Sequence, residues 1–201
     1  MRKATAVFAF LLASFLVVPA SLAGGFYVGG SLGETSADLS LSDIDDGSTI
    51  IGDVQDSDTR WKVFGGYNFL KFFAAEMSWV DLGEASIDAV SDGSGGIWDP
   101  GTVTTVGEAD GFAVEAMGIL PIGSKFEVFA EYGYYLWDAS QAFSNTAIGD
   151  QSISDDGQDP TFGVGFGWNF PGPGQLRFEA ERYQIDTMDI DMYSVGVSFG
   201  F

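Results

Sequence analysis

The sequence predicts an all-β protein, an eight-stranded antiparallel up-and-down transmembrane β-barrel. Three observations predict this fold. The chain opens with an export signal, eight later segments alternate apolar with polar residues, and the connections between those segments alternate between short turns and long acidic stretches. At 201 residues the chain has the length of one domain, which we expect at residues 24–201.

The N-terminus has the pattern of a secretory signal peptide. Arg2 and Lys3 precede an apolar run over residues 4–18, and Ser21 and Ala23 place small residues at a cleavage site. We therefore expect residues 1–23 to be removed on export. The alternative is a retained anchor helix, but the run is short of the ~20 residues that span a bilayer.

Eight segments of the remaining chain alternate with the period of two that is typical of strands. Their lengths are close to the ~9–11 residues of a tilted transmembrane strand. One face is apolar and aromatic, and the other is polar, charged or glycine; lipid outside and a polar interior satisfy both faces. The segments are residues 25–36, 60–69, 72–82, 111–120, 126–137, 161–170, 175–185 and 193–201.

The connections predict how the barrel lies in its membrane. Residues 69–71, 121–125 and 171–174 are short turns. The other connections are acidic stretches that we expect to be loops: residues 37–57, 83–108 and 138–159, with a shorter one at 186–190. Short turns face the periplasm in outer-membrane barrels, so the termini are expected to be periplasmic and the acidic loops extracellular. The first and last strands must pair, because an open sheet edge cannot lie in hydrocarbon.

The interior-facing charges are the main candidate site. An eight-stranded barrel is just wide enough for side chains to fill it, so these charges must pair, retain water or change protonation. One interpretation is a salt-bridged polar core that plugs the barrel, and the other is a narrow, gated, cation-preferring pore. The predicted lumen residues are Arg60, Lys62, Glu76, Glu115, Glu127, Glu131, Arg177, Glu179 and Glu181.

Aromatic residues near the strand ends suit the girdles that lie at the head-group level of a bilayer. Trp79, Trp168 and Tyr193 alternate outward and are expected to contact lipid. Tyr135 and Trp137 are also near a strand end, although the alternation turns them inward.

Composition excludes several classes of function. The net charge of −21 repels nucleic-acid phosphate, so no nucleic-acid partner is expected. Histidine and cysteine are absent, which removes the commonest general base and the usual metal ligands, and we expect no cofactor. The acidic stretches contain weak candidates for calcium ligands without the EF-hand spacing, and these could attract divalent ions that bridge lipopolysaccharide phosphates. They are Asp43, Asp45, Asp46, Asp155 and Asp156.

The last segment and several motifs carry a family resemblance. Alternate residues Tyr193, Val195, Val197, Phe199 and Phe201 resemble the signal that the barrel assembly machinery reads. The stretches GFYVGGS from residue 25, WKVFGGY from residue 61, VDLG from residue 80, GILPIG from residue 118 and RFEAERY from residue 177 resemble the OmpA-type family of small outer-membrane barrels, also described as surface-antigen domains.

The resemblance implies a barrel in the bacterial outer membrane, in contact with lipid and lipopolysaccharide. Family members often carry a basic residue on the inner face of the fifth strand, where this chain has Glu131. Small barrels that modify lipid A or cleave peptides use a histidine, so we do not expect an enzyme. We expect a structural or surface-interaction protein that acts in envelope integrity or adhesion through its acidic loops, with the cation-preferring pore as the alternative.

Overall fold

The computed structural model describes residues 25–37, 50–55, 59–95, 100–145, 149–186 and 188–201. The predicted signal peptide lies outside the described residues. The strands are β1 (Gly25–Ala37), β2 (Ile50–Gln55), β3 (Thr59–Leu70), β4 (Phe73–Ser91), β5 (Gly101–Ile122), β6 (Phe126–Asn145), β7 (Gly149–Asn169), β8 (Gly174–Ile185) and β9 (Met188–Gly200). Among the described residues, no helix is long and apolar enough to cross a bilayer.

The strands form one closed antiparallel ring. β1 pairs with β3 and with β9, and the β4–β5 pairing completes the circle. β2 and β3 follow one another along the same edge of β4: β2 pairs with residues 86–91 and β3 with residues 73–81. The nine segments therefore fill eight positions, which confirms the predicted eight-stranded barrel. Among the described residues, closure pairs the strands on both sides around the ring, as the hydrocarbon of a bilayer requires.

The two faces of the strands differ as the alternation predicts. On the outer face, Leu32, Met77 and Val164 are each more than half exposed. On the inner face, Lys62 and Arg177 are almost fully buried. In water this distribution would expose apolar surface and desolvate charge, whereas a lipid-embedded barrel accommodates both faces.

The predicted acidic loops are wrong over most of their length, because most of these residues lie in paired strands. β4 continues to Ser91 and β5 begins at Gly101, while β6 and β7 pair as far as Asn145 and Gly149. Part of the stretch at 37–57 is β2, and β9 begins at Met188 inside the stretch at 186–190. The period of two continues through these acidic stretches, and its inward positions include the buried residues Ile87, Ala89, Val103 and Thr105.

The three predicted short turns lie at one end of the barrel with the C-terminus. They connect Leu70 to Phe73, Ile122 to Phe126 and Asn169 to Gly174. At the opposite end β8 and β9 form a tight hairpin in which Ile185 pairs with Met188. Asp186 in this hairpin has a positive φ of 54°, a region where aspartate is tolerated better than bulky residues.

Two apolar clusters fill the interior at different levels. The turn-side cluster is Tyr27, Phe64, Ala74, Met117 and Phe129. The far-side cluster is Val80, Leu82, Ala113, Tyr135, Trp137, Tyr183 and Met192. Tyr135 and Trp137 therefore belong to the core and not to a lipid girdle, because odd-numbered residues of β6 face inward.

Glycines make room for the interior aromatic rings. At four directly paired positions, a Cβ on the glycine would overlap the ring of the opposite residue, so only glycine allows this packing. The pairs are Tyr27 with Gly66, Phe64 with Gly29, Phe129 with Gly165, and Trp137 with Gly157.

Candidate functional site

The barrel interior contains a buried layer of charge. Eight of the nine predicted lumen residues are at most 4% exposed. Glu127 differs: it is half-buried near the short turns and accepts a hydrogen bond from Gln175 Nε2 at 2.8 Å. We use the name charge layer for Lys62, Glu76, Glu115, Glu131, Arg177, Glu179 and Glu181.

The charge layer lies between the two apolar clusters. On β4, Glu76 stands between Ala74 and Val80; on β5, Glu115 stands between Met117 and Ala113. On β6, Glu131 is likewise placed between aromatic residues of the two clusters. Ions passing along the barrel axis would have to cross both apolar clusters. This arrangement favours a closed interior.

Lys62 holds two carboxylates of β8. Its Nζ lies 2.8 Å from Glu181 Oε1 and 3.2 Å from Glu179 Oε2. The Tyr183 hydroxyl donates a second hydrogen bond to Glu181 Oε1 at 2.6 Å. Paired hydrogen-bonding partners of this kind are what a buried ammonium requires.

Arg177 holds the other side of the charge layer. Its Nη1 donates to Glu76 Oε2 at 2.7 Å, and its Nη2 contacts Glu179. The guanidinium carbon lies 4.3 Å from the centre of the Phe64 ring and 4.8 Å from that of Phe129. This combination of carboxylates and ring faces suits a planar, delocalised cation better than it would suit lysine.

Arg60 is buried but does not join the charge layer. Its Nε donates to Thr35 Oγ1 at 2.8 Å, and its Nη2 donates to the carbonyl oxygen of Glu84, also at 2.8 Å. It therefore ties β3 to β1 and β4 beyond the far-side cluster.

Glu115 and Glu131 differ from the other carboxylates of the charge layer. None of their four carboxylate oxygens has a hydrogen-bond partner among the described residues. The nearest cationic contact is between Arg177 Nη2 and Glu131 Oε2, at 4.0 Å. A buried carboxylate without hydrogen-bond donors is costly. Glu115 and Glu131 are therefore the least compensated charges of the described interior.

The predicted assembly residues lie along the closing strand. Tyr193, Val195, Val197 and Phe199 are exposed on the outer face. The Phe201 amide donates to the Phe26 carbonyl at 2.8 Å, and their rings stack. The last residues thus complete the pairing with β1.

The weak calcium candidates are not brought together. Asp155 and Asp156 are exposed neighbours in β7, on opposite faces of the strand. Asp43, Asp45 and Asp46 lie outside the described residues.

An acidic row on the outer face was missed by the sequence analysis. Asp81 pairs with Asp110, Asp110 with Asp138, and Asp138 with Asp156, across the four neighbouring strands β4 to β7. The row lies directly beyond a belt of outward residues in which Trp79, Phe112 and Leu136 are paired in the same way. The four aspartates are far apart in the sequence, so the register was needed to align them.

The acidic row carries an electrostatic cost. Its residues lie beyond the apolar band of the outer face. Partial burial, followed by the neighbouring carboxylates of Asp138 and Asp81, raises the pKa of Asp110 above its ordinary value. Like charges placed directly opposite one another on paired strands are destabilising, so the row opposes folding unless a cation neutralises it.

A single closed barrel with a polar interior and an apolar exterior now accounts for the described residues. The sequence matches the OmpA-like transmembrane domain over residues 22–201. The chain belongs to this family. No curated protein matches the chain. The family and its fold make the protein an outer-membrane β-barrel.

Solved structures similar to this OmpA-like barrel share its fold at low identity. Ail, the attachment invasion locus protein of Yersinia pestis, is 13% identical with a TM-score of 0.52, covering 89% of this chain and 97% of Ail. OprG of Pseudomonas aeruginosa is 14% identical with a TM-score of 0.52, covering 89% and 96%. The N-terminal β-barrel domain of OprF from the same organism is 11% identical with a TM-score of 0.51, covering 88% and 97%.

Proposed function

We propose that this OmpA-like barrel is a structural and surface-interaction protein that anchors an acidic external face and binds cationic partners through it. The observation that carries the proposal is the acidic row of Asp81, Asp110, Asp138 and Asp156. The row costs stability through like-charge repulsion, and a positively charged partner would recover that energy.

The orientation in the membrane is part of the proposal. The short turns and the C-terminus would face the periplasm, and the extended ends of β4 to β7 would project outside the cell. Residues 1–23 would direct export and be removed, and the segment ending at Phe201 would be read by the barrel assembly machinery. In this orientation the acidic row lies at the outer head-group level, where lipopolysaccharide and external partners meet the barrel.

The charge of the partner follows from the charge of this chain. Ail of Yersinia pestis was crystallised with the heparin analogue sucrose octasulfate, whose sulfates are anionic. A chain with a net charge of −21 and an acidic row on its outer face favours the opposite sign. Adhesion or envelope integrity would then depend on basic partners or on cations that bridge the barrel to neighbouring phosphates.

Binding of a cationic probe tests this proposal. The protein is reconstituted in phosphatidylcholine vesicles, and binding of a fluorescent oligolysine peptide is measured at increasing salt. We expect saturable binding that weakens with salt and is lost when the four aspartates of the row are replaced by asparagine, because the peptide binds the aligned carboxylates.

A matched variant distinguishes binding to the acidic row from a general effect of the protein's net charge. It neutralises four exposed acids elsewhere, Glu34, Asp150, Asp155 and Asp186, with the corresponding amides. We expect it to keep the binding. Equal loss in both variants, or no loss in the row variant, would contradict a role for the row.

A small cation-preferring pore is the second candidate. The observation that favours it is the excess of acid in the interior: Glu115 and Glu131 have no hydrogen-bond partner among the described residues. Such groups could attract permeating cations if the apolar clusters moved apart. Single-channel recording distinguishes the two candidates.

A further inference from the structure

Three carboxylates of the charge layer converge on one point of the interior. Glu76 on β4 and Glu115 on β5 are directly paired, and Glu131 projects inward from the next strand, β6. Each offers an oxygen, and these three oxygens lie within 4.8 Å of one another. Opposed carboxylates on neighbouring strands repel, so this arrangement requires a positive charge or protons.

The carboxylate oxygens of Glu115 and Glu131 are available as ligands. Glu115 is 3% exposed and Glu131 is 4% exposed, and no described residue donates a hydrogen bond to either. Glu76 in contrast accepts from Arg177 and from the Tyr27 hydroxyl. Two buried carboxylates thus point into the cluster without a hydrogen-bond donor among the described residues, and only Glu131 has a cation as near as 4.0 Å, Arg177. Leaving both of them charged would cost the folded state heavily.

A second acidic cluster in the same layer serves as an internal comparison. Glu131, Glu179 and Glu181 also bring their oxygens within 4.8 Å of one another. In that cluster the Lys62 ammonium contacts both Glu179 and Glu181. Lys62 therefore neutralises two of the three carboxylates there, whereas in the first cluster Arg177 pairs closely with Glu76 alone, and no described cation pairs with Glu115.

The charge count of the charge layer favours a divalent ion. Five glutamates of this layer face two cations, Lys62 and Arg177, which leaves three negative charges among the described residues. One divalent ion would balance two of them, and one proton would balance the third. Calcium binds carboxylate oxygens at about 2.3–2.6 Å, so oxygens on opposite sides of the ion lie roughly 4.6–5.2 Å apart.

We propose that Glu76, Glu115 and Glu131 form an internal binding site for a divalent cation of the calcium type. The ion would join β4, β5 and β6 across the charge layer and lock the interior in its closed form. Because the ligands are buried between the two apolar clusters, the ion would exchange slowly. This site is independent of the acidic row on the outer face.

Calcium content and thermal unfolding test the site. Protein purified in detergent from outer membranes is incubated with calcium chloride, desalted into a chelator and analysed by atomic emission. We expect about one calcium per chain in the wild type, and loss of it in Glu115→Gln, which removes a charged ligand but keeps the shape of the side chain. Calcium should also raise the unfolding temperature of the wild type and not that of the variant.

Glu108→Gln is the matched control, because Glu108 is an exposed acid of the same strand. It should retain calcium as the wild type does. If Glu115→Gln does not fold, Glu131→Gln takes its place. Calcium retained equally by the interior variants would place the ion on the outer face and overturn the proposal. No calcium retained by the wild type would mean that protons neutralise the cluster and would also overturn the proposal, whatever the stability of Glu115→Gln.

Discussion

Arg177 on β8 and Glu76 on β4 make a 2.7 Å ion pair across the full width of the barrel. Their strands are four positions apart in either direction around the eight-membered ring. The pair therefore links opposite walls of the barrel through the charge layer. A link of this kind resists both widening of the lumen and separation of its walls.

Removing one partner of this link should be more damaging than removing both. Arg177→Met leaves Glu76 and Glu179 without their shared cation, and we expect it to lower the free energy of unfolding by about 3–5 kcal/mol. The double variant Arg177→Met, Glu76→Met should lose less, because it buries fewer unpaired charges. Urea unfolding in detergent micelles measures both. A double variant that is less stable than the single one would argue against the link.

Gly165 is expected to be intolerant of a side chain, because a Cβ there would overlap the ring of Phe129. Gly165→Ala should cost about 1–3 kcal/mol of unfolding free energy as an overpacked core position. The control is Gly118→Ala on the outer face, where the nearest atom to a Cβ is 4.0 Å away. Measured by the same urea unfolding, Gly118→Ala should leave the free energy of unfolding unchanged or raise it. Equal effects at both glycines would contradict ring packing as the cause.

Asp110 should make the protein less stable at neutral pH than at mildly acidic pH. Its pKa is raised in the folded state, so its unfavourable contribution is absent below the unfolded pKa of about 3.9 and is fully present above the folded pKa. Asp110→Asn should therefore stabilise at pH 7 by about 0.2–1 kcal/mol, as expected for removing a like-charge cross-strand contact. The advantage should vanish as the pH falls towards 4 in unfolding measurements at several pH values.

Asp191 should show the opposite behaviour. Arg182 donates two hydrogen bonds to its carboxylate, at 2.6 and 2.7 Å, beyond the apolar band that ends at Ala180 and Tyr193. These bonds lower the pKa of Asp191, so the stabilisation is present above the unfolded pKa and is lost as the pH falls through the folded one.

Asp191→Asn should cost about 0.2–1 kcal/mol at pH 7, the usual range for an exposed ion pair. The difference from the wild type should begin to shrink near pH 4, where the unfolded Asp becomes protonated, and should disappear once the pH is below the lowered pKa of the folded state. Asp155→Asn, at an exposed acid elsewhere in the sheet, serves as the control. A cost of Asp191→Asn that grows on acidification would have the wrong sign.

The sequence predicted the barrel well because a two-sided environment imposes a strict period of two. In residues 161–170, for example, large apolar residues alternate with glycines. This pattern indicates lipid on one side of the strand and a crowded interior on the other. The prediction of a loop at residues 83–108 is wrong, because it rests on acid content and not on the period of two. There the exposed face of the strands is acidic, while Ile87 and Val103 still mark the buried face.

The details of the site needed the strand register. Alternation alone turned Glu76, Glu115 and Arg177 inward, but it could not tell which carboxylate the guanidinium would reach. The unpaired state of Glu115 and the alignment of Asp81 with Asp110 depend on which residues lie opposite one another. These are long-range pairings that no local pattern specifies.

We expect the charge layer, enclosed by the two apolar clusters, to close the barrel, so that the protein acts through its outer face and not as a pore. Single-channel recording of the protein in planar bilayers under a salt gradient tests this most directly. We expect folded, inserted protein to show no steady conductance. Steady cation-selective openings that weaken in Glu115→Lys or Glu131→Lys would contradict the claim and make the protein a pore.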